Sequence, residues 1–395
     1  MLADVWAAER ANMLATLVRR LGDLDLAEEA LAEAAARALE IWPTEGVPSK
    51  PAGWLITTAW HRALDRLRRE QTGQAKLALL ANTPPSESED DRLALIFGCC
   101  HPSLAEPVQV ALTLNAVCGL TSQEIALAFL MPPASMAQRL VRAKAQLKKD
   151  NVRFTMPEPE DYPQRLPAVL SVIYLVFNEG YLASSKTQPQ RRELAREALD
   201  LSRELARLMP GEPEVAGLTA LIELQEARAV TRFDDEEQLV LLENQDRGLW
   251  DAALIRSATA RLDRAMARRR PGPFQLQAAI AALHAGAPST ADTDWLQIHM
   301  LYSALHEQTG NPVALLNRAV ATRYLWGPER ALSDVDALTE RLGSYRLFHA
   351  TRGEMLQALG RAEDARAAWQ RALDLATNPA ERAFIASRLA TASRQ

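Results

Sequence analysis

The sequence predicts an all-α protein. Alanine, leucine, glutamate and arginine dominate it, no long stretch alternates apolar and polar residues as a half-buried strand would, and apolar residues recur at helical spacing in segment after segment. The 395 residues suggest two or three domains. Hydrophobic residues at 48% and charged residues at 24% support a real core and exclude wholesale disorder. The net charge of −5 sets up no global field for DNA or anionic lipid, so any nucleic-acid surface must be a local patch.

Taken in chain order, Asp25-Leu26-Ala27-Glu28-Glu29-Ala30-Leu31 opens an acidic amphipathic helix that ends near Ile41-Trp42. Pro43 to Pro51 reads as a turn-rich connection. A helix with both aromatic and basic residues follows from Gly53 to Arg69, with Thr58, Arg62, Arg66 and Arg69 on one stripe and Trp54, Trp60 and His61 nearby. Cations that track phosphates beside rings that stack on unpaired bases suit single-stranded DNA, although buried tryptophans and solvated arginines give the same pattern. The stretch from Gly73 to Asp91, with Asn82-Thr83-Pro84-Pro85-Ser86 and an acidic run, reads as an exposed linker.

Gly119 to Lys149 is the most informative stretch. Thr121-Ser122-Gln123-Glu124 is a capping box that starts a short helix with Ile125, Ala126 and Phe129 on one face. Met131-Pro132-Pro133 ends that helix, and a second begins near Ser135. In the second helix Met136, Leu140, Ala143 and Leu147 form an inward stripe. The other face carries Ser135, Gln138, Arg139 and Arg142, with Lys144, Lys148 and Lys149 beyond them. A short helix, a tight turn and a basic helix make a helix-turn-helix signature. Thr121 to Arg153 holds six basic and two acidic residues, a local +4 in a chain of −5.

Clustered prolines at 157, 159, 163 and 167 mark another break. Near the C-terminus, Gly327 and Ala331 recur as Gly360 and Ala365, at spacings of 33 and 34 residues. That is the period of tetratricopeptide-like helix pairs, with a plain antiparallel bundle as the alternative.

The acidic helix, the aromatic-basic helix, the linker and the helix-turn-helix stand in the order found in bacterial extracytoplasmic-function (ECF) sigma factors, and the chain resembles that family from about Val5 to Lys149. The resemblance implies that Asp25 to Leu39 binds the polymerase clamp, with Asp25, Glu28, Glu29 and Glu33 as contacts. It implies that Trp54 to Arg69 reads and melts the minus-ten element through Trp54, Thr58, Trp60, His61, Arg62, Arg66 and Arg69. It also implies that the helix-turn-helix reads the minus-thirty-five element through Ser135, Gln138, Arg139, Arg142 and Lys144. The stretches Leu95 to Pro102, Tyr174 to Tyr181 and Leu241 to Arg247 resemble the subgroup with a tetratricopeptide-like C-terminal extension (group 42). Two positions depart from the pattern and bear on promoter preference: His61, often Asn elsewhere, and Ala137, often basic.

The expected layout is therefore region 2 at 1–72, a linker at 73–91, region 4 at 92–153, and a helical extension at 162–395. The expected partners are core RNA polymerase, promoter DNA and a protein or small-molecule ligand of the extension, in the cytoplasm and without membrane insertion. The longest uncharged run, Pro271 to Ala291, is broken by proline, glutamine and histidine. No signal peptide is visible at the N-terminus. Three cysteines exclude a disulfide framework. Adjacent Cys99 and Cys100 beside His101 lack the spaced second pair of a zinc site and read as core residues. His284, His299 and His306 read as partly buried structural histidines. No metal, cofactor or catalytic residue is expected. A helix-turn-helix regulator with a helical sensor domain, acting without polymerase, is the second reading. A repeat scaffold that binds only proteins is the third.

Overall fold

Buried residues three and four positions apart give helices such as Pro51–Arg69 and Pro133–Lys149 one inward face each. The computed structural model describes residues 2–69, 91–129, 131–182 and 190–392, and among them no strand forms beyond one isolated bridge between Phe233 and Leu239. The chain divides into two compact units, Met1–Val176 and Phe177–Gln395.

In the first unit α1 (Leu2–Leu21), α2 (Leu24–Glu45) and α3 (Pro51–Arg69) pack together. The α2 helix starts at Asp23, whose carboxylate accepts from the Leu26 amide. It runs three residues past the expected end near Trp42 and takes Pro43 into its last turn. The Gly46 N–H then closes onto the Trp42 carbonyl, with Gly46 at a φ of 86° that suits glycine. Next come α4 (Asp91–Cys99), α5 (Glu106–Ala116), α6 (Ser122–Ala128) and α7 (Pro133–Lys149). Most of the expected linker lies outside the described residues, but its last residue does not behave as linker. Asp91 is buried, accepting from Thr16 Oγ1 at 3.0 Å and pairing with Arg19 at 2.8 Å. A carboxylate at the first turn of α4 also meets the positive end of that helix.

The helix α8 (Tyr162–Tyr181) takes in Pro163 and Pro167, which were expected to mark a break. Prolines so near a helix N-terminus forfeit few hydrogen bonds. Tyr162 stacks on Phe97, and Arg165 donates to the Phe97 carbonyl. The first unit therefore reaches Val176. Gly98 makes room there: a Cβ on it would come within 2.3 Å of the Phe154 ring. Cys99 and Cys100 are buried, and burial pushes the Cys100 thiol up to about 12.

The second unit is built from α9 (Arg192–Leu208), α10 (Pro213–Glu226), α11 (Ala252–Met266), α12 (Pro273–Gly286), α13 (Trp295–Thr309), α14 (Pro312–Trp326), α15 (Pro328–Asp336), α16 (Thr339–Leu342), α17 (Arg346–Ala358), α18 (Ala362–Leu375) and α19 (Pro379–Ala392). Gly327 and Gly360, the pair spaced by 33 residues, take φ values of 89° and 72° and turn α14 into α15 and α17 into α18. The longest uncharged run becomes α12 and its flanks. No helix of the described residues is long and apolar enough to cross a membrane.

His284 on α12 gives a pH signature. Burial, reinforced by Arg228 and Arg247, pushes it from an ordinary 6.5 down to about 4. The unfolded chain protonates this residue near 6.5 and the folded chain only near 4. The unfolded state therefore binds more protons between those values, and stability falls as pH drops through that window. Denaturant unfolding should show a loss of roughly 2 kcal/mol for the second unit between pH 7.5 and pH 5. His284→Gln should flatten that dependence, and an unchanged slope in the variant would contradict the assignment.

Candidate nucleic-acid and polymerase interfaces

The α7 helix presents the surface expected of a DNA-reading element. Met136, Leu140, Ala143 and Leu147 are buried and anchor it. Ser135, Gln138 and Arg142 are exposed and Arg139 is half-buried. Neither arginine has an ion pair among the described residues. Its position is set by α6, whose capping box is reciprocal: the Glu124 amide donates to Thr121 Oγ1 at 3.2 Å, and the Thr121 amide donates back to Glu124 Oε2 at 2.8 Å. Pro132 and Pro133 then start α7 two residues earlier than Ser135.

Lys144 is the exception on this helix. Its side chain is 12% exposed, and its ammonium lies 3.3 Å from Asp25 and bonds Glu28, both on α2. Burial works against the charge, but Glu28 and Asp25 outweigh it and hold the ammonium above its ordinary value. Lys144 is thus engaged inside the unit rather than offered to DNA. Lys148 adds a 2.7 Å pair to Asp23.

On α3, His61, Arg62, Arg66 and Arg69 are exposed and Thr58 is half-buried. Trp60 is not available to an unpaired base: only 1% of it is exposed, because its position falls on the buried stripe with Ile56, Ala59, Ala63 and Leu64. Trp54 packs edge-on against Trp42, with ring centroids 5.7 Å apart. His61 is the exposed ring on this helix.

The acidic residues of α2 lie between two sets of cations. Glu29 pairs with Arg66, and Glu33 lies 4.0 Å from Arg62. Asp25 and Glu28 face Lys144. The packing of this unit also uses helix ends. Arg10 of α1 donates to the carbonyls of Asn115 and Ala116 at 3.3 and 3.0 Å, at the C-terminus of α5, where a cation meets unpaired carbonyls and the negative end of the helix dipole. All these contacts lie within the first unit.

Two exposed apolar residues that the sequence reading missed lie on the same helices. Leu39 on α2 and Val141 on α7 are 65% and 62% exposed. Each is a large apolar residue just off its helix's inward stripe, and that displacement is the signal that finds them.

Comparison with known families places names on the same elements. The sigma-70 region 2 family matches residues 7–72, from within α1 through α3, and the sigma-70 region 4 family matches residues 94–147, from within α4 to near the end of α7. These two domains mark the chain as a sigma factor. Region 2 and region 4 imply core RNA polymerase and promoter DNA as partners of this sigma factor. Beyond region 4, residues 165–266 match a family of unknown function, DUF6596. An uncharacterized protein of Rhizobium meliloti (strain 1021) is 46% identical over 393 residues, covering 96% of this sigma factor and 93% of the relative. No solved structure matches.

Proposed function

We propose that the chain is an ECF sigma factor of the group with a tetratricopeptide-like extension, active in the cytoplasm, and that its free form is closed. The supporting observation is the pairing of Lys144, on the helix that reads the minus-thirty-five element, with Asp25 and Glu28 of the acidic helix that meets polymerase. One set of carboxylates cannot serve both partners, so polymerase binding and release of α7 go together. In the open form Gln138, Arg139 and Arg142 meet the duplex, by base edges or phosphates. Mixed with core polymerase, the purified chain should co-purify with it and direct transcription from a specific promoter class. In that system Arg139→Ala or Arg142→Ala should cost about 1–3 kcal/mol of promoter affinity if the residue reads a base, with relaxed preference at one position. A chain that neither binds polymerase nor yields a promoter-directed transcript is the regulator of the second reading.

The extension sets the balance between closed and open forms. Helix pairs with the left-handed Gly327 and Gly360 support the tetratricopeptide-like reading, and stacks of such pairs present binding surfaces. A regulator of this kind must contact the two forms unequally, since equal binding shifts nothing. The place to truncate is after Leu182 rather than near Met156, because Tyr162 and Arg165 belong to the packing of the first unit. The shortened chain should transcribe at a level different from the full chain at matched folded concentration. Identical output and polymerase affinity would leave the extension a separate binding module.

A further inference from the structure

The second unit holds a half-open cavity of about 440 Å³, partly walled by the Leu241 to Arg247 stretch. Its walls come from several helices in turn. Val320 and Tyr324 lie on α14, Leu347 and Ala350 on α17, and Phe384 and Ile385 on α19. Leu239, Leu241 and Leu242, from the segment between α10 and α11, supply a further wall. A largely apolar cavity of this size with a few polar groups is the ordinary form of a small-molecule site.

Aromatic rings pack closely in the walls. Trp295 and Tyr324 stack with centroids 3.9 Å apart and planes 6° apart, and the His284 ring meets Trp295 edge-on at 5.3 Å. Trp369 is buried against Gly353, where a Cβ would come within 2.9 Å of the indole.

The charges in the lining decide which ligand fits. Glu381 is held by Arg346 through two 2.7 Å hydrogen bonds. Glu354 faces two guanidiniums, Arg323 at 3.4 Å and Arg388 at 3.5 Å. Glu243 is exposed and accepts from the Tyr324 hydroxyl at 3.1 Å. Arg247 donates to the His284 and Ala287 carbonyls at 2.5 and 2.7 Å, and among the described residues no carboxylate lies within ion-pair distance of it. Counting the arginines bonded to the lining, four guanidiniums (Arg247, Arg323, Arg346, Arg388) stand against three carboxylates (Glu243, Glu354, Glu381), and the surplus falls at Arg247. The depression of His284 by Arg228 and Arg247, after burial itself, has the same sign.

We propose that this cavity binds a small amphipathic anion, with its apolar body against the Trp295–Tyr324 stack and Phe384 and its anionic group on Arg323 and Arg247. A guanidinium favours an oxyanion by charge-assisted hydrogen bonds, and the stacked rings take a flat apolar body. The site is independent of the sigma reading and stands or falls without it.

Two dyes of similar shape test the proposal on the full-length chain. They are 1-anilinonaphthalene-8-sulfonate, an amphipathic anion, and N-phenyl-1-naphthylamine, its neutral counterpart. Fluorescence titration should give saturable one-to-one binding, with the sulfonate bound about tenfold more tightly or better. Arg323→Gln should weaken the sulfonate about fivefold and leave the neutral dye unchanged. Ala350→Trp, which fills the cavity, should weaken both. Leu347 is 40% exposed, so Leu347→Glu spares the core and should weaken the sulfonate alone, which covers the case in which Ala350→Trp fails to fold. Absence of saturable binding, equal affinity for the two dyes, or sulfonate affinity indifferent to both Arg323→Gln and Leu347→Glu would overturn the proposal.

Discussion

Lys144→Glu should raise the affinity of the free chain for core polymerase by about tenfold. The native ammonium is 12% exposed and sits against Glu28, itself 19% exposed, so little water screens the pair. Breaking a pair of this kind costs roughly 1–3 kcal/mol, because the half-buried Glu28 then keeps only Arg10, at 4.0 Å. Reversing the sign adds repulsion among three carboxylates. The apparent affinity of a closed protein is reduced by the fraction that is open, so opening it recovers that factor and no more. Hydrogen exchange should quicken along Met136 to Leu147 in the same variant. Adding Glu28→Lys should restore slow exchange, since the swapped charges pair again. The folded Lys144 pKa lies above its ordinary value, so the contribution of the pair is complete below about 10.4 and fades only as pH rises through the folded value. Closure is then independent of pH between 6 and 9 as far as Lys144 is concerned. Unchanged polymerase affinity together with unchanged exchange would show that this pair holds nothing shut.

Removal of the α3 cations should give the second large effect. The triple change Arg62→Ala, Arg66→Ala and Arg69→Ala should lower open-complex formation on duplex promoters on the order of a hundredfold, and by less than about tenfold on a pre-melted template. On the proposed reading these cations hold phosphates of the separating strand, so their loss should also flatten the salt dependence. Arg62 and Arg66 are about half exposed, as are their partners Glu33 and Glu29, so those pairs contribute under about 1 kcal/mol each to the fold. Thermal unfolding should barely move. Trp60→Ala is the contrast: truncation of a fully buried indole costs about 3–5 kcal/mol, and output should fall alike on both templates. A triple variant with equal defects on the two templates would argue that the stripe supports the fold rather than the melted strand.

Local chemistry in the chain determined more of this molecule than its net charge suggests. The buried faces of α7 follow from apolar residues one helical turn apart, and the Thr121–Glu124 capping box closes within four residues. Gly327 and Gly360 mark helix ends because only a residue without Cβ takes their φ at little cost. Each of these is decided by neighbours within one or two turns, which is why the helix-turn-helix and the helix ends at Gly327 and Gly360 are readable without coordinates. Tertiary structure decided the rest. An aromatic on a helix can stack on a base or fill a core, and only the packing of α1, α2 and α3 sends Trp60 inward. A lysine in a basic helix reads as a DNA contact until folding brings Glu28, 116 residues away, against it. Asp91 reads as linker until Thr16 and Arg19 surround it. The cavity between α14, α17 and α19 has no sequence signature, since its walls are ordinary apolar positions and its cationic surplus depends on which carboxylate each arginine reaches. Periodicity and caps are local and survive in the one-dimensional chain, whereas burial of a charge or a ring depends on distant segments that meet only in the folded molecule.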